Sequence, residues 1–206
     1  MLALIQRELQ DHLVYIVLAG LIVAVMIAVA ILTACWGMAP AGLGIGGAAT
    51  ALLLALFCLL GAAQMYADRA NRISALLATL AVTRTRILAA RVLTAVVLIS
   101  AIFVPLLVTV VAILYSIGTP LTLYRGTIAE VSVTLVLTCL AGHCIGLLAG
   151  WTANRTIPAL SVLFGMLLLM SFVIVKGFGL AAIGLLLLFI VASLLHVWHR
   201  FTSVSF

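Results

Sequence analysis

Histidine and cysteine are the side chains through which this sequence could hold a metal ion or a cofactor. His143 lies inside an apolar run, and Cys139 precedes it by four residues, on the same face of a helix. Two such ligands are too few for a zinc site. A pair of histidines, His143 with His196, could ligate a haem, whereas a lone histidine in an apolar run more often bonds between helices. We therefore expect no metal and no cofactor, and keep a haem- or redox-cofactor-binding membrane anchor as the alternative function.

The cysteines and the nucleotide-binding motifs argue against catalysis. The spacing of the four cysteines contains no CxxC pair, and we expect small buried apolar side chains rather than disulfides: Cys35, Cys58, Cys139 and Cys144. The sequence has no GxxxxGK[ST] motif, so this chain does not hydrolyse ATP itself. It also lacks the GxSxG elbow of serine hydrolases. We expect that the protein is not an enzyme.

A polar stretch at 67–84 combines charges at both ends with an apolar stripe between them. Asp68, Arg69 and Arg72 form its charged head, and Arg84 lies at its tail. The apolar middle has leucines spaced as one face of a helix: Leu76, Leu77 and Leu80. Such a helix is too short to span a bilayer, and its arginines keep it at the membrane surface. The stripe therefore needs either the headgroup region or a protein partner.

The elements that must position this stretch are transmembrane helices. The chain has 206 residues, of which 67% are hydrophobic and 7% charged, with a mean hydropathy of +1.49. Soluble domains have about 25% charged residues, so lipid is the solvent of this chain. We predict an all-α polytopic membrane protein, one domain over 1–206, with six spans of sufficient length: 14–35, 47–66, 87–113, 128–150, 157–175 and 179–197.

Prolines and glycines mark the breaks in this pattern. The glycine-rich stretch 36–46, which contains Pro40, indicates a loop between the first two spans. Pro105 lies inside the long third span and predicts a kink there.

The cations predict the orientation. With the N-terminus in the cytoplasm, eight of the ten lysines and arginines lie in cytoplasmic segments, and only Arg125 and Lys176 lie outside. We therefore expect a multi-pass protein of the inner (plasma) membrane with both termini in the cytoplasm. The amphipathic segment 1–12 predicts an interfacial helix on the lipid bilayer. Since no basic patch carries interleaved aromatics, we expect no nucleic-acid partner.

The 67–84 loop carries a resemblance to a known family. Asp68-Arg69, the run from Leu76 to Arg84, then Ile87-Leu88 and Arg91 resemble the loop after the second span in permease subunits of type-2 ABC exporters. The small size is similar to that of the haem-exporter B-type subunit. The resemblance implies a transport function coupled to a separate ABC ATPase subunit, with a second permease copy or paralogue completing the transporter.

The same resemblance implies roles for the loop residues. Asp68, Arg69 and Arg72 would orient the coupling loop on the ATPase by charge. Arg84 would close the far end of the contact. The leucines between them would seat in a groove of the ATPase: Leu76, Leu77 and Leu80.

Overall fold

The computed structural model is an all-α protein. It describes residues 10, 13–36, 39–70, 84–116, 118, 121–150, 160, 163–169, 171–172 and 179–203. Within those ranges every residue is helical except Gly118, Gly150 and Gly179. The predicted fold class is confirmed at this level.

Five long helices form the described bundle: α1 Leu13–Trp36, α2 Ala39–Ala70, α3 Arg84–Ser116, α4 Leu121–Ala149 and α5 Leu180–Ser203. Each contains a segment long and apolar enough to cross a membrane, so the chain is a multi-pass membrane protein. These segments correspond to five of the six predicted spans. Of the remaining one, 157–175, the structure describes a helical segment at 163–169. The predicted interfacial helix 1–12 lies outside the described residues except for Gln10, which is helical.

The predicted loop at 36–46 is wrong. α2 begins at Ala39 and continues through the glycines without a break. Pro40 is the second residue of this helix, and proline is tolerated in a first turn because the amide it lacks would have no partner there. Glycine is also more frequent in transmembrane helices than in soluble ones. The glycines and Pro40 therefore lie in the first turns of α2 and not in a loop.

α2 and α4 form the centre of the bundle and run in parallel. Leu54 of α2 contacts Gly142 of α4, and further along both helices Met65 contacts Gly150. Small residues along this contact let the backbones approach closely, which is the main source of helix association in membranes.

The other helices pack around this pair. α1 lies antiparallel to α2, because its start contacts Phe57 and its later residue Val23 contacts Leu53. α5 and the segment 163–169 pack on α4, where Leu169 and Ile190 share a buried cluster with Cys144. α3 covers α1 and α4 through a cluster that includes Ile99 and Cys139.

This arrangement gives the bundle two distinct ends. We call the loop end the one where α2 ends at Ala70, α3 begins at Arg84, and α4 and α5 end. α1 begins near the same end. The opposite end is where α3 ends at Ser116 and α4 begins at Leu121. Between them Gly118 has a φ of 73° and donates its N–H to the carbonyl of Tyr115 at 3.1 Å, a left-handed cap that favours glycine.

Candidate functional site

The predicted coupling residues belong to the loop end of the bundle. Asp68 and Arg69 lie in the last turn of α2, and Arg84 is the first residue of α3. The other predicted coupling residues lie outside the described residues: Arg72, Leu76, Leu77 and Leu80. The structure therefore describes the two helices that carry the 71–83 segment, and the docking role of that segment stays a prediction.

A buried apolar cluster fixes both of these helices to the rest of the bundle. This loop-end cluster draws its members from four helices: Met65, Ile87, Leu88, Leu147 and Val197. Leu147 and Val197 are fully buried. The cluster therefore joins α2 and α3 to α4 and α5 through buried side chains.

Arg91 adds a polar contact beside this cluster. It lies two turns into α3, and only 2% of its surface is exposed. Its guanidinium Nη1 donates to the Sδ of Met65 at 3.3 Å, which links α3 directly to α2. A buried arginine inside a membrane span is costly and is by default a functional residue. In the sequence, Arg91 is identifiable only as a cytoplasmic cation and as part of the resemblance to the permease loop.

Gln64 is a second buried polar group at the same end. It precedes Met65 and is 2% exposed. Neither its Oε1 nor its Nε2 has a hydrogen-bond partner among the described residues. An unsatisfied buried amide costs about 1–3 kcal/mol. Sequence reasoning passed over Gln64, although a glutamine near the end of an apolar run is the kind of residue that would draw attention.

Three glycines make the contact between α2 and α4 unusually close. Gly142 and Gly146 lie on one face of α4, and Gly150, which directly follows the helix, continues the four-residue spacing. A Cβ on Gly146 would collide with the carbonyl oxygen of Cys58, and one on Gly150 would lie 2.6 Å from the Cβ of Met65. We call this contact the glycine seam. Its GxxxGxxxG spacing is readable in the sequence and would have predicted a helix-packing face.

His143 lies at the glycine seam. Its imidazole is fully buried, and its carbonyl oxygen faces Gly61 of α2. His196, the second ligand of the haem alternative, is exposed on α5. One histidine of the haem alternative is therefore buried in the bundle, and the other is exposed on its surface.

The cysteines behave in two ways. Cys58, Cys139 and Cys144 are buried free thiols, which confirms the prediction for these three. Cys35 is exposed near the end of α1, so the prediction of a buried residue is wrong there. In the part of the chain that the structure describes, no three His, Cys, Asp or Glu side chains come together as metal ligands would.

The opposite end contains an open groove instead of a packed core. It has a volume of about 490 Å³ and lies between α3 and α4, from Ser100 to Leu114 on one side and from Thr127 to Leu137 on the other. Its walls are almost wholly apolar. No sequence pattern indicated this groove, because it depends on how far the two helices separate.

Fold and site together define a multi-pass α-helical membrane protein with a tightly packed loop end and an open groove at its opposite end. No protein-family model matches the chain, and neither the curated proteins nor the solved structures yielded a significant match. The likeness to ABC permeases therefore depends on the residues of the 67–91 stretch, and it enters below as a proposal.

Proposed function

We propose that this chain is the transmembrane permease subunit of an ABC transporter, an exporter, which couples ATP hydrolysis on a separate ATPase subunit to substrate movement. The observation that supports this most is the loop-end cluster. It connects both helices that flank the 71–83 segment to α4 and α5 through buried side chains. A segment that receives force from a motor needs such an attachment, because force passes only through parts that are packed.

The two central helices would respond to that force as one body. The glycine seam brings the backbones of α2 and α4 so close that no side chain would fit between them at Gly146 or Gly150. α3 is attached differently. Its buried residues all lie between Ile87 and Phe103, with exposed residues such as Leu93 and Val97 among them, and none of its residues beyond Pro105 is buried. Motion of the loop end would therefore move α2 and α4 together and change their relation to the outer part of α3.

The helix directions support the proposed six spans. α4 and α5 run in the same direction, since Leu147 meets Val197 at the loop end. The chain must therefore return across the bundle between Gly150 and Gly179, and the helical segment 163–169 lies on that path against α4. A sixth crossing by 157–175 satisfies this requirement.

Charge supports the proposed orientation. The loop end contains cations on three helices: Arg69, Arg84, Arg86 and Arg200. Cytoplasmic flanks of membrane helices are enriched in lysine and arginine. We therefore place the loop end, with the start of α1 and the end of α5, in the cytoplasm, where ATP is available. A second permease copy or paralogue would complete the assembly.

Co-purification from native membranes tests this proposal. The tagged chain, extracted in a mild detergent, should bring down an ATPase with a Walker motif, identified by mass spectrometry. Arg84→Glu should abolish the association, because it inverts the charge at the start of α3. Arg125→Glu is the matched control, since it makes the same substitution at the exposed opposite end and should retain the ATPase.

Two results would contradict the proposal. One is the absence of any ATPase from complexes that are otherwise intact. The other is a haem Soret band in the purified protein that disappears in His143→Ala, which would support the membrane-anchor alternative.

A further inference from the structure

The groove between α3 and α4 has the dimensions of a site for a single flexible chain. The α3 wall from Ser100 to Leu114 is about 21 Å long at 1.5 Å per residue. This exceeds half of a hydrocarbon core about 30 Å thick, so the groove runs through one leaflet. The groove has a volume of about 490 Å³ and is open along one side, so a flexible chain can enter it from the bilayer.

The packing of α3 against α4 changes along the groove. Before Pro105, Ile99 and Phe103 of α3 pack into one cluster with Cys139 of α4. After it, no residue of α3 is buried, and on α4 no described side chain before Thr134 is buried. The groove therefore lies mainly where neither helix buries side chains against the other.

The polar side chains along α3 and α4 do not make the groove polar. The hydroxyl of Ser100 donates to the carbonyl of Val96 at 2.8 Å, within its own helix. On α4, beside the lining residue Val133, Thr134 likewise donates to the carbonyl of Glu130 at 2.7 Å. Thr127 and Ser132 also line the groove, and its walls are nevertheless almost wholly apolar.

One cation stands at the end of this apolar groove. Arg125 is exposed, and with Ile128 and Ser132, which line the groove, it falls on the same face of α4 at intervals of three and four residues. Glu130 is five residues from Arg125 and therefore points about 140° away around the helix. No described residue forms an ion pair with Arg125, so its charge is available to a ligand.

We propose that the groove binds one acyl chain of an anionic phospholipid, with the lipid phosphate held by Arg125. The groove provides an apolar channel within one leaflet, and Arg125 provides a cation at the end where that leaflet has its headgroups. Arginine is well suited to phosphate because its guanidinium donates two parallel hydrogen bonds. This assignment stands on the groove and Arg125 and does not depend on the proposed transport function.

Photolabelling in a defined bilayer tests the lipid site. The full chain is reconstituted in nanodiscs with phosphatidylglycerol that carries a diazirine on one acyl chain, and the labelled peptides are mapped by mass spectrometry. In the native protein, labels should concentrate on the groove walls within 100–114 and 127–137. Phosphatidylcholine with the same labelled chain should label these peptides less.

Two variant pairs separate the chain site from the charge. Val110→Trp fills the groove and should abolish the labelling, whereas Val108→Trp should not, because Val108 is 62% exposed on the same helix and does not line the groove. Arg125→Gln should lower the preference for phosphatidylglycerol by about fivefold, the contribution of one cation near an anionic surface. Arg86→Gln, at the loop end, should leave that preference unchanged.

The proposal is overturned if labels in the native protein spread evenly over the exposed faces of α1, α3 and α5. It is also overturned if the two tryptophan variants are labelled equally, or if the groove peptides cross-link to a second copy of the chain. The label map of the native protein requires no substitution. It therefore still tests the proposal if one of the variants fails to fold.

Discussion

The two halves of α4 are packed in opposite ways. From Thr134 to Gly150 most residues are buried, and the helix touches α2 backbone to backbone at Gly146. From Arg125 to Val133 no residue is buried, and the helix forms one wall of the groove. The same helix therefore belongs to a rigid core at the loop end and to an open surface at the opposite end.

Small residues contribute to this difference. The packed half has glycine, alanine and cysteine at its contacts, and these let another helix approach closely. Small size is not sufficient, because Gly126 in the open half has no atom within 4 Å of where its Cβ would lie. The spacing of the small residues on one face of α4 therefore matters as well as their number.

The largest expected effect is a large side chain in the glycine seam. Gly146→Leu puts a side chain into the backbone of α2 and should destabilise the fold by about 3 kcal/mol or more, the upper range for overpacking. Gly184→Leu is the control, because a Cβ there has no atom within 4 Å. The thermal unfolding of both variants is followed with a thiol-reactive dye, which reports the exposure of Cys58, Cys139 and Cys144 on heating. Equal melting of the two variants would contradict the close contact.

A large-to-small substitution should lower the stability of the fold at the loop end but hardly change it in the groove. Leu147→Ala removes a fully buried side chain and should cost about 2–3 kcal/mol. Leu107→Ala changes a groove residue that is 39% exposed, and should cost about 0.5 kcal/mol or less. Unfolding by SDS in mixed micelles compares the two. A similar loss in both would show that the opposite end is packed after all.

The smallest expected effect is a gain in stability. Gln64→Leu removes two buried polar atoms that lack partners among the described residues, and should stabilise the fold by about 1 kcal/mol. Thr138→Val is the control, since it removes a hydroxyl that already donates to the carbonyl of Thr134 at 2.7 Å, and should give no gain. The same SDS titration applies. A destabilised Gln64→Leu would mean that the amide is satisfied by groups beyond those described.

Much of the fold follows from the sequence. Apolar runs bounded by charges predicted five spans close to their observed limits, because a bilayer requires about 20 apolar residues per helix. The prediction of a loop at 36–46 was wrong because it treated the glycines and Pro40 as loop residues. A proline in the first turn of a helix does not interrupt that helix.

The site could be predicted only in part. The charges of the 67–84 stretch are visible in the sequence, and so is the GxxxG spacing of the glycine seam. The burial of Arg91 is not visible in the sequence, since the side chain of an arginine early in a span can equally reach the headgroups. The groove is least predictable, because it depends on how α3 and α4 separate between Ser100 and Leu114 on one side and Thr127 and Leu137 on the other.

The central claim is that a motor subunit contacts the segment between α2 and α3 at the packed loop end. A photo-crosslinking amino acid at Leu77, introduced in cells that make the protein, tests it most directly, with the same probe at the exposed Tyr115 of the opposite end as control. We predict that the Leu77 probe captures a Walker-motif ATPase and that the Tyr115 probe does not. Capture of lipid alone at Leu77, or labelling of that position by a membrane-impermeant reagent added outside the cell, would contradict the account.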